Sequence, residues 1–66
     1  MEMIIAILLW LNVMVSGGTY TSGQVDQMIQ QNESTIQAVL QDSELQNTVW
    51  QTTGEHVPSV VIGEGS

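Results

Sequence analysis

The chain has 66 residues, of which seven are acidic, one is histidine and none is lysine or arginine, so its formal charge is −7. Without basic side chains it lacks the phosphate contacts that dominate nucleic-acid affinity, which argues against DNA or RNA binding. The absence of cysteine excludes disulfides and cysteine zinc sites. Because chains below about 70 to 80 residues seldom build a self-sufficient core, we expect a fold that is not an independent globule and that relies on a partner or a bilayer.

Residues 1–20 are predominantly apolar, and Asn12 is the one polar residue between Met3 and Val15. A helix that is apolar on every side must be buried on every side. Continued to Tyr20, it approaches the roughly 30 Å of a hydrocarbon core. We therefore predict a transmembrane or membrane-embedded helix, in which Asn12 bonds either between copies or locally near the helix end. The alternatives are a helix buried in protein, a buried strand, and a signal peptide that lacks basic residues before its apolar run.

Residues 21–53 contain no proline and predict one long amphipathic helix of about 48 Å. Thr21 and Gln24 have the spacing of a capping box, in which each side chain bonds the backbone of the other residue. Gly54 is a suitable residue to end the helix. The fold class that we predict is therefore all-α, with the apolar helix, the long helix and an extended C-terminal tail following one another.

The hydrophobic residues of the long helix recur with a period of eleven, which keeps an apolar stripe nearly straight along a helix. We predict that this stripe contacts other subunits through Val25, Met28, Ile29, Ile36, Val39, Leu40 and Trp50. Ala38, Leu45 and Val49 project on the opposite side, so the helix is either touched on two faces or carries scattered surface apolar residues there.

Acidic residues flank the stripe when the segment is projected as one helix. Asp26, Glu33 and Glu44 form a ridge beside it, whereas Asp42 lies farther round. This ridge predicts docking against partner subunits with basic surfaces.

Residues 54–66 form the tail. Val60, Val61 and Ile62 make a short β-type run, which we expect to dock in the groove or on the sheet edge of a neighbouring chain. The alternative is a disordered tail.

The sequence contains no recognisable motif for catalysis or metal binding. Glu55 and His56 are adjacent, no histidine and carboxylate have metal-ligand spacing on a helix, and no recognisable motif activates Ser59. We expect no catalytic residue, cofactor or metal. The predicted function is that of a structural or assembly subunit in a membrane complex, a filament or a virus particle, which forms a homo- or hetero-oligomer and is membrane-associated or extracellular. The alternatives are a membrane-active pore-forming or lysis-regulating peptide and a soluble helical adaptor.

Overall fold

The computed structural model of the chain describes residues 2–63, and these are mostly helical. In chain order the elements are α1 (Glu2–Trp10), β1 (Thr19–Thr21), α2 (Ser22–Gln31), α3 (Glu33–Leu40), α4 (Ser43–Thr53), a 3₁₀ helix (Gly54–Ser59) and β2 (Val61–Gly63).

The apolar N-terminal segment forms a helix of only nine residues, because Asn12 ends it. Asn12 has a left-handed backbone with φ of 62°, a conformation that asparagine tolerates better than most residues. The Val13 N–H donates to the Leu8 carbonyl at 2.9 Å, and the Asn12 N–H donates to the Leu9 carbonyl at 3.1 Å. These two backbone hydrogen bonds form a Schellman motif, in which Asn12 takes the left-handed position that ends the helix. Among the described residues, no helix combines the length and apolarity that a bilayer crossing needs.

The prediction of one long helix over residues 21–53 is wrong, because Asn32 and Asp42 divide the segment into α2, α3 and α4. Asn32 has non-helical φ and ψ of −117° and 18°, and its side-chain amide donates to the Met28 carbonyl at 2.8 Å. Asp42 is extended, and its carboxylate accepts from the amides of Glu44 at 3.0 Å and Leu45 at 3.2 Å, which starts α4. Short polar side chains of this kind compete with the helical hydrogen bonds and permit a turn.

The predicted capping box at the start of α2 is confirmed. The Gln24 amide donates to Thr21 Oγ1 at 3.1 Å, and the Thr21 amide donates to Gln24 Oε1 at 2.9 Å. Gly54 directly follows α4 but has a right-handed helical backbone, so the chain continues into the 3₁₀ helix instead of ending there.

The prediction of an all-α fold requires one correction, because β1 and β2 form a small parallel sheet. Tyr20 is paired with Ile62, and Thr19 with Val61. The predicted β-type run of the tail therefore adds to a strand of its own chain. Residues 64–66 of the predicted tail lie outside the described residues.

A single hydrophobic core joins α1 to the later helices, so the expectation that the chain does not form a globule by itself is wrong for residues 2–63. Their dimensions are 33 × 23 × 17 Å. The helix α1 packs mainly against α4 and the 3₁₀ helix. The buried apolar residues are Ile5, Ala6, Ile7, Leu8, Leu9, Met14, Val25, Ile36, Val39, Val49 and Val57.

Candidate functional site

Three residues of the predicted interaction stripe lie in the interior of the chain. Val25, Ile36 and Val39 are each only 2% exposed and belong to the core that surrounds α1. Met28 and Ile29 are partly buried and pack against the same core. The bends at Asn32 and Asp42 fold the stripe onto α1, so most of its apolar surface is covered within the molecule.

Other predicted interaction residues reach the surface. Leu40 is 37% exposed, Trp50 is 43% exposed and Val61 is 54% exposed. Val60 and Ile62 are partly buried against the core. The exposed members lie on different elements, α3, α4 and β2, so they do not form the straight stripe that a single helix would present.

Trp50 lines a mostly apolar cavity on the described surface, which we call the Trp50 groove. This groove has a volume of about 400 Å³ and is lined by Glu2, Trp50, Gly54, Val57 and Pro58. The volume is within the range of cavities that bind small molecules or peptide side chains, about 300 to 1,000 Å³. The contacts between α1, α4 and the 3₁₀ helix therefore bring the first described residue next to residues from the other end of the chain.

Gly54 allows the indole ring of Trp50 to lie directly on the backbone. A Cβ atom at position 54 would be 3.0 Å from Cδ2 and 3.1 Å from Cε2 of Trp50, closer than an ordinary van der Waals contact. Because Cγ of the same ring would also be only 3.3 Å away, Gly54 faces the plane of the indole. One face of Trp50 is thus supported by the protein, and its exposed surface belongs to the remainder of the ring.

The groove carries one carboxylate and no basic group. Glu2 is exposed in the first turn of α1, where a negative charge interacts favourably with the helix dipole. The chain has no lysine or arginine that could neutralise Glu2. The lining therefore combines a mostly apolar surface and an aromatic ring with one acidic residue, and this combination can accept an apolar group that is next to a cation.

A second cluster of polar side chains joins the loop after α1 to the 3₁₀ helix. Ser59 Oγ donates to the His56 carbonyl at 2.6 Å and accepts from the Gly17 amide at 3.0 Å. Ser16 Oγ lies 3.2 Å from Ser59 Oγ and 3.4 Å from His56 Nδ1. His56 Nε2 is 3.5 Å from a carboxylate oxygen of Glu55.

This cluster contains the residue types of a serine hydrolase, but its hydrogen bonds hold the backbone in place. The single proton of the Ser59 hydroxyl is donated to a carbonyl within its own turn. The nearby Gly17 amide donates to Ser59 and is therefore not free to stabilise an oxyanion. His56 and Glu55 are 48% and 77% exposed at their side chains, so water competes for both. These hydrogen bonds therefore connect residues 16 and 17 to Ser59 of the 3₁₀ helix.

A second cavity lies at the start of α2 and is lined by polar residues and one glycine. It measures about 380 Å³ and is lined by Thr21, Gly23, Gln24 and Gln27. Thr21 and Gln24 already bond each other in the capping box. Among residues 2–63, no three histidine or acidic side chains come close enough together to hold a metal ion.

Comparison with known proteins gives no match to this chain, whether by protein-family models, by the sequences of curated proteins or by solved structures.

Sequence reasoning identified Trp50 but not the other residues of the groove. Glu2 lies in the segment that was predicted to enter a membrane, and Val57 and Pro58 lie in the predicted tail. The cluster of Ser16, His56 and Ser59 had no sequence signal, because its members are brought together by the packing of α1 against α4.

Proposed function

We propose that this protein is a non-enzymatic subunit of a larger assembly, such as a membrane complex, a filament or a virus particle. In this proposal it binds a basic partner protein at the Trp50 groove. The observation that carries the proposal is the exposure of Trp50 within an apolar groove. Tryptophan is the residue type most enriched among the residues that dominate binding energy at protein interfaces, and such residues lie at well-packed apolar sites.

The charge of the chain supports a basic partner. The chain has seven acidic side chains, one histidine and no lysine or arginine. The acidic residues of the helical segment are all exposed, namely Asp26, Glu33, Asp42 and Glu44. Opposite charges on two proteins accelerate their encounter and exclude partners of like charge. The predicted acidic ridge is interrupted by the bends, so the proposal depends on the overall negative charge and not on a continuous row.

The packing of α1 favours an assembly subunit that binds through its folded surface over a membrane-active peptide. Ala6, Ile7 and Leu8 are fully buried within the chain, and a pore former would have to expose these residues to lipid. That exchange would open the core, because α1 is the element against which α4 and the 3₁₀ helix pack. The proposed subunit uses the exposed surface of the folded molecule and requires no rearrangement.

The proposal is tested with the tagged full-length chain in its own cells. We expect the wild-type chain to recover a defined basic protein at low salt and to release it at high salt, because screening weakens attraction between surface charges. The recovered partner is then purified and its dissociation constant measured by calorimetry. Trp50→Ser should weaken binding by about thirtyfold, the effect of losing a dominant interface side chain.

Leu40→Ser is the matched control, because it removes an apolar side chain of similar exposure from α3. Circular dichroism establishes that both variants are folded. We expect Leu40→Ser to retain wild-type affinity. Equal binding by wild type and Trp50→Ser, or a partner that is acidic and insensitive to salt, would contradict the proposal.

A further inference from the structure

The Trp50 groove has a shape and charge that restrict which part of a partner it accepts. The indole of Trp50 is supported on one face by Gly54, and 43% of the residue is accessible. An aromatic ring fixed in this way attracts a cation that is placed over its free face, within about 6 Å of the ring centre. Because Gly54 lies against one face of the ring, a cation that stacks on Trp50 would lie on the opposite face.

Glu2 is an exposed acidic residue that lines the same cavity. A cation bound over Trp50 is therefore attracted by the ring and by the carboxylate. Arginine fits this pair of groups better than lysine does, because its planar guanidinium stacks on an aromatic ring while its N–H groups bond a carboxylate in the same plane.

The remaining lining of the groove is apolar. Val57 is 8% exposed and belongs to the core, while Pro58 is exposed beside it in the 3₁₀ helix. These residues offer a surface for an aliphatic side chain but no charged group. A segment with arginine next to an aliphatic residue would satisfy both parts of the cavity.

We infer that the Trp50 groove binds an extended segment of the partner in which an arginine adjoins an aliphatic residue. The guanidinium stacks on Trp50 and pairs with Glu2, and the aliphatic side chain lies against Val57 and Pro58. This inference rests on the proposed function and names the chemical class of the partner segment. Charge complementarity carries it, since Glu2 is the one charged residue among those that line the groove and the formal charge of the chain is −7.

The test uses the full chain and the synthetic peptide acetyl-Gly-Leu-Arg-Leu-Gly-amide as the probe. Binding is followed through the indole Nε1–H signals in proton–nitrogen NMR spectra. We expect a saturable shift of the Trp50 signal, while the signal of Trp10, which packs against the core, serves as an internal reference. A second peptide carries citrulline, the neutral analogue of arginine, and should bind about five- to twentyfold more weakly, because it loses the attraction of the cation both to the ring and to Glu2.

Glu2→Gln separates the contribution of the carboxylate. This variant should bind the arginine peptide about two- to fivefold more weakly, as expected for an exposed ion pair, and should bind the citrulline peptide as the wild type does. Glu33→Gln is the matched control, because it removes an exposed acidic residue at the start of α3 and should leave both affinities unchanged. Such a cycle of variants and peptides isolates the pairing of Glu2 with arginine from general charge effects.

Equal affinities for the arginine and citrulline peptides would overturn the inference, as would the absence of a saturable Trp50 shift. Trp50-dependent dimerisation in analytical ultracentrifugation would also overturn it, because a second copy of the chain would then occupy the groove. These results differ from failure of the proposed function, in which Trp50→Ser leaves the affinity for the purified partner unchanged.

Discussion

Thr53 is the polar residue that connects α4 to α1 within the core. It is 8% exposed, and its hydroxyl lies 2.9 Å from the Ala6 carbonyl and 2.8 Å from the Val49 carbonyl. A hydroxyl has one proton, so this donor is shared between a carbonyl of its own helix and one of α1. Nothing in the amphipathic pattern distinguishes Thr53 from the neighbouring Thr52, because the difference lies in what each side chain contacts.

Thr53→Val should lower the free energy of unfolding by about 1 kcal/mol, because it removes a buried hydrogen bond while nearly preserving side-chain volume. Urea denaturation followed by circular dichroism measures the change. Thr52→Val is the control, since the Thr52 hydroxyl donates at 2.7 Å to Thr48 of the same helix and is exposed. Its effect should be within about 0.5 kcal/mol, and equal losses in the two variants would contradict a linking role for Thr53.

The burial of Ile36 changes how variants of the predicted stripe must be interpreted. Ile36 is 2% exposed within the core, so an aspartate there would place a charge among apolar side chains and unfold the chain. Loss of assembly by Ile36→Asp would follow from loss of the fold, even if Ile36 never contacts a partner. Trp50 and Leu40, which are exposed, are the positions where binding and folding can be separated.

At the scale of elements, the sequence predicted helices but not where they are divided. The capping box of Thr21 and Gln24 was predictable, because its contacts join residues three apart. Asp42 also has the residue type of a helix N-cap, but the absence of proline across the segment, in which the only glycine is Gly23 near its start, favoured a continuous helix. The bends become favourable because they allow the apolar sides of α2, α3 and α4 to pack around α1. The stabilisation that comes from this tertiary packing cannot be read from the local sequence pattern.

Asp42→Ala should lower the free energy of unfolding by about 1 kcal/mol, because two amides at the start of α4 lose their acceptor. The measurement is urea denaturation followed by far-ultraviolet circular dichroism. Asp26→Ala removes the same charge from an exposed position inside α2 and should have little effect. A gain in helix content and stability in Asp42→Ala would contradict the N-cap role, since alanine favours a continuous helix.

At the scale of the whole molecule, like charges are confined to a small volume. The formal charge is −7, and the longest dimension of the described residues is 33 Å. The screening length is about 30 Å at 0.01 M salt and about 10 Å at 0.1 M. At the lower salt concentration most carboxylates therefore repel one another across the molecule, whereas at the higher concentration only near neighbours do.

The melting temperature should rise when sodium chloride is increased from about 0.01 M to about 0.1 M. If the repulsion that is removed amounts to about 1 kcal/mol, the rise is about 4 to 8 °C for a domain of this size. Differential scanning calorimetry measures it. The double variant Glu33→Gln, Glu44→Gln has two fewer charges and should show a smaller rise. A melting temperature that is constant or falls with salt would show that repulsion does not limit the stability of the fold.

The sequence by itself determined the helical character of the chain, the capping box, the apolar N-terminal segment and the uniform acidity. These features depend on composition or on contacts between residues that are close in the chain. Only the tertiary structure decided that the apolar stripe packs on α1, that residues 61–63 pair with residues 19–21, and that Glu2 meets Trp50 and Pro58 in one groove. Such contacts join distant parts of the chain, and their stability comes from apolar surface that is buried only when all the elements pack together.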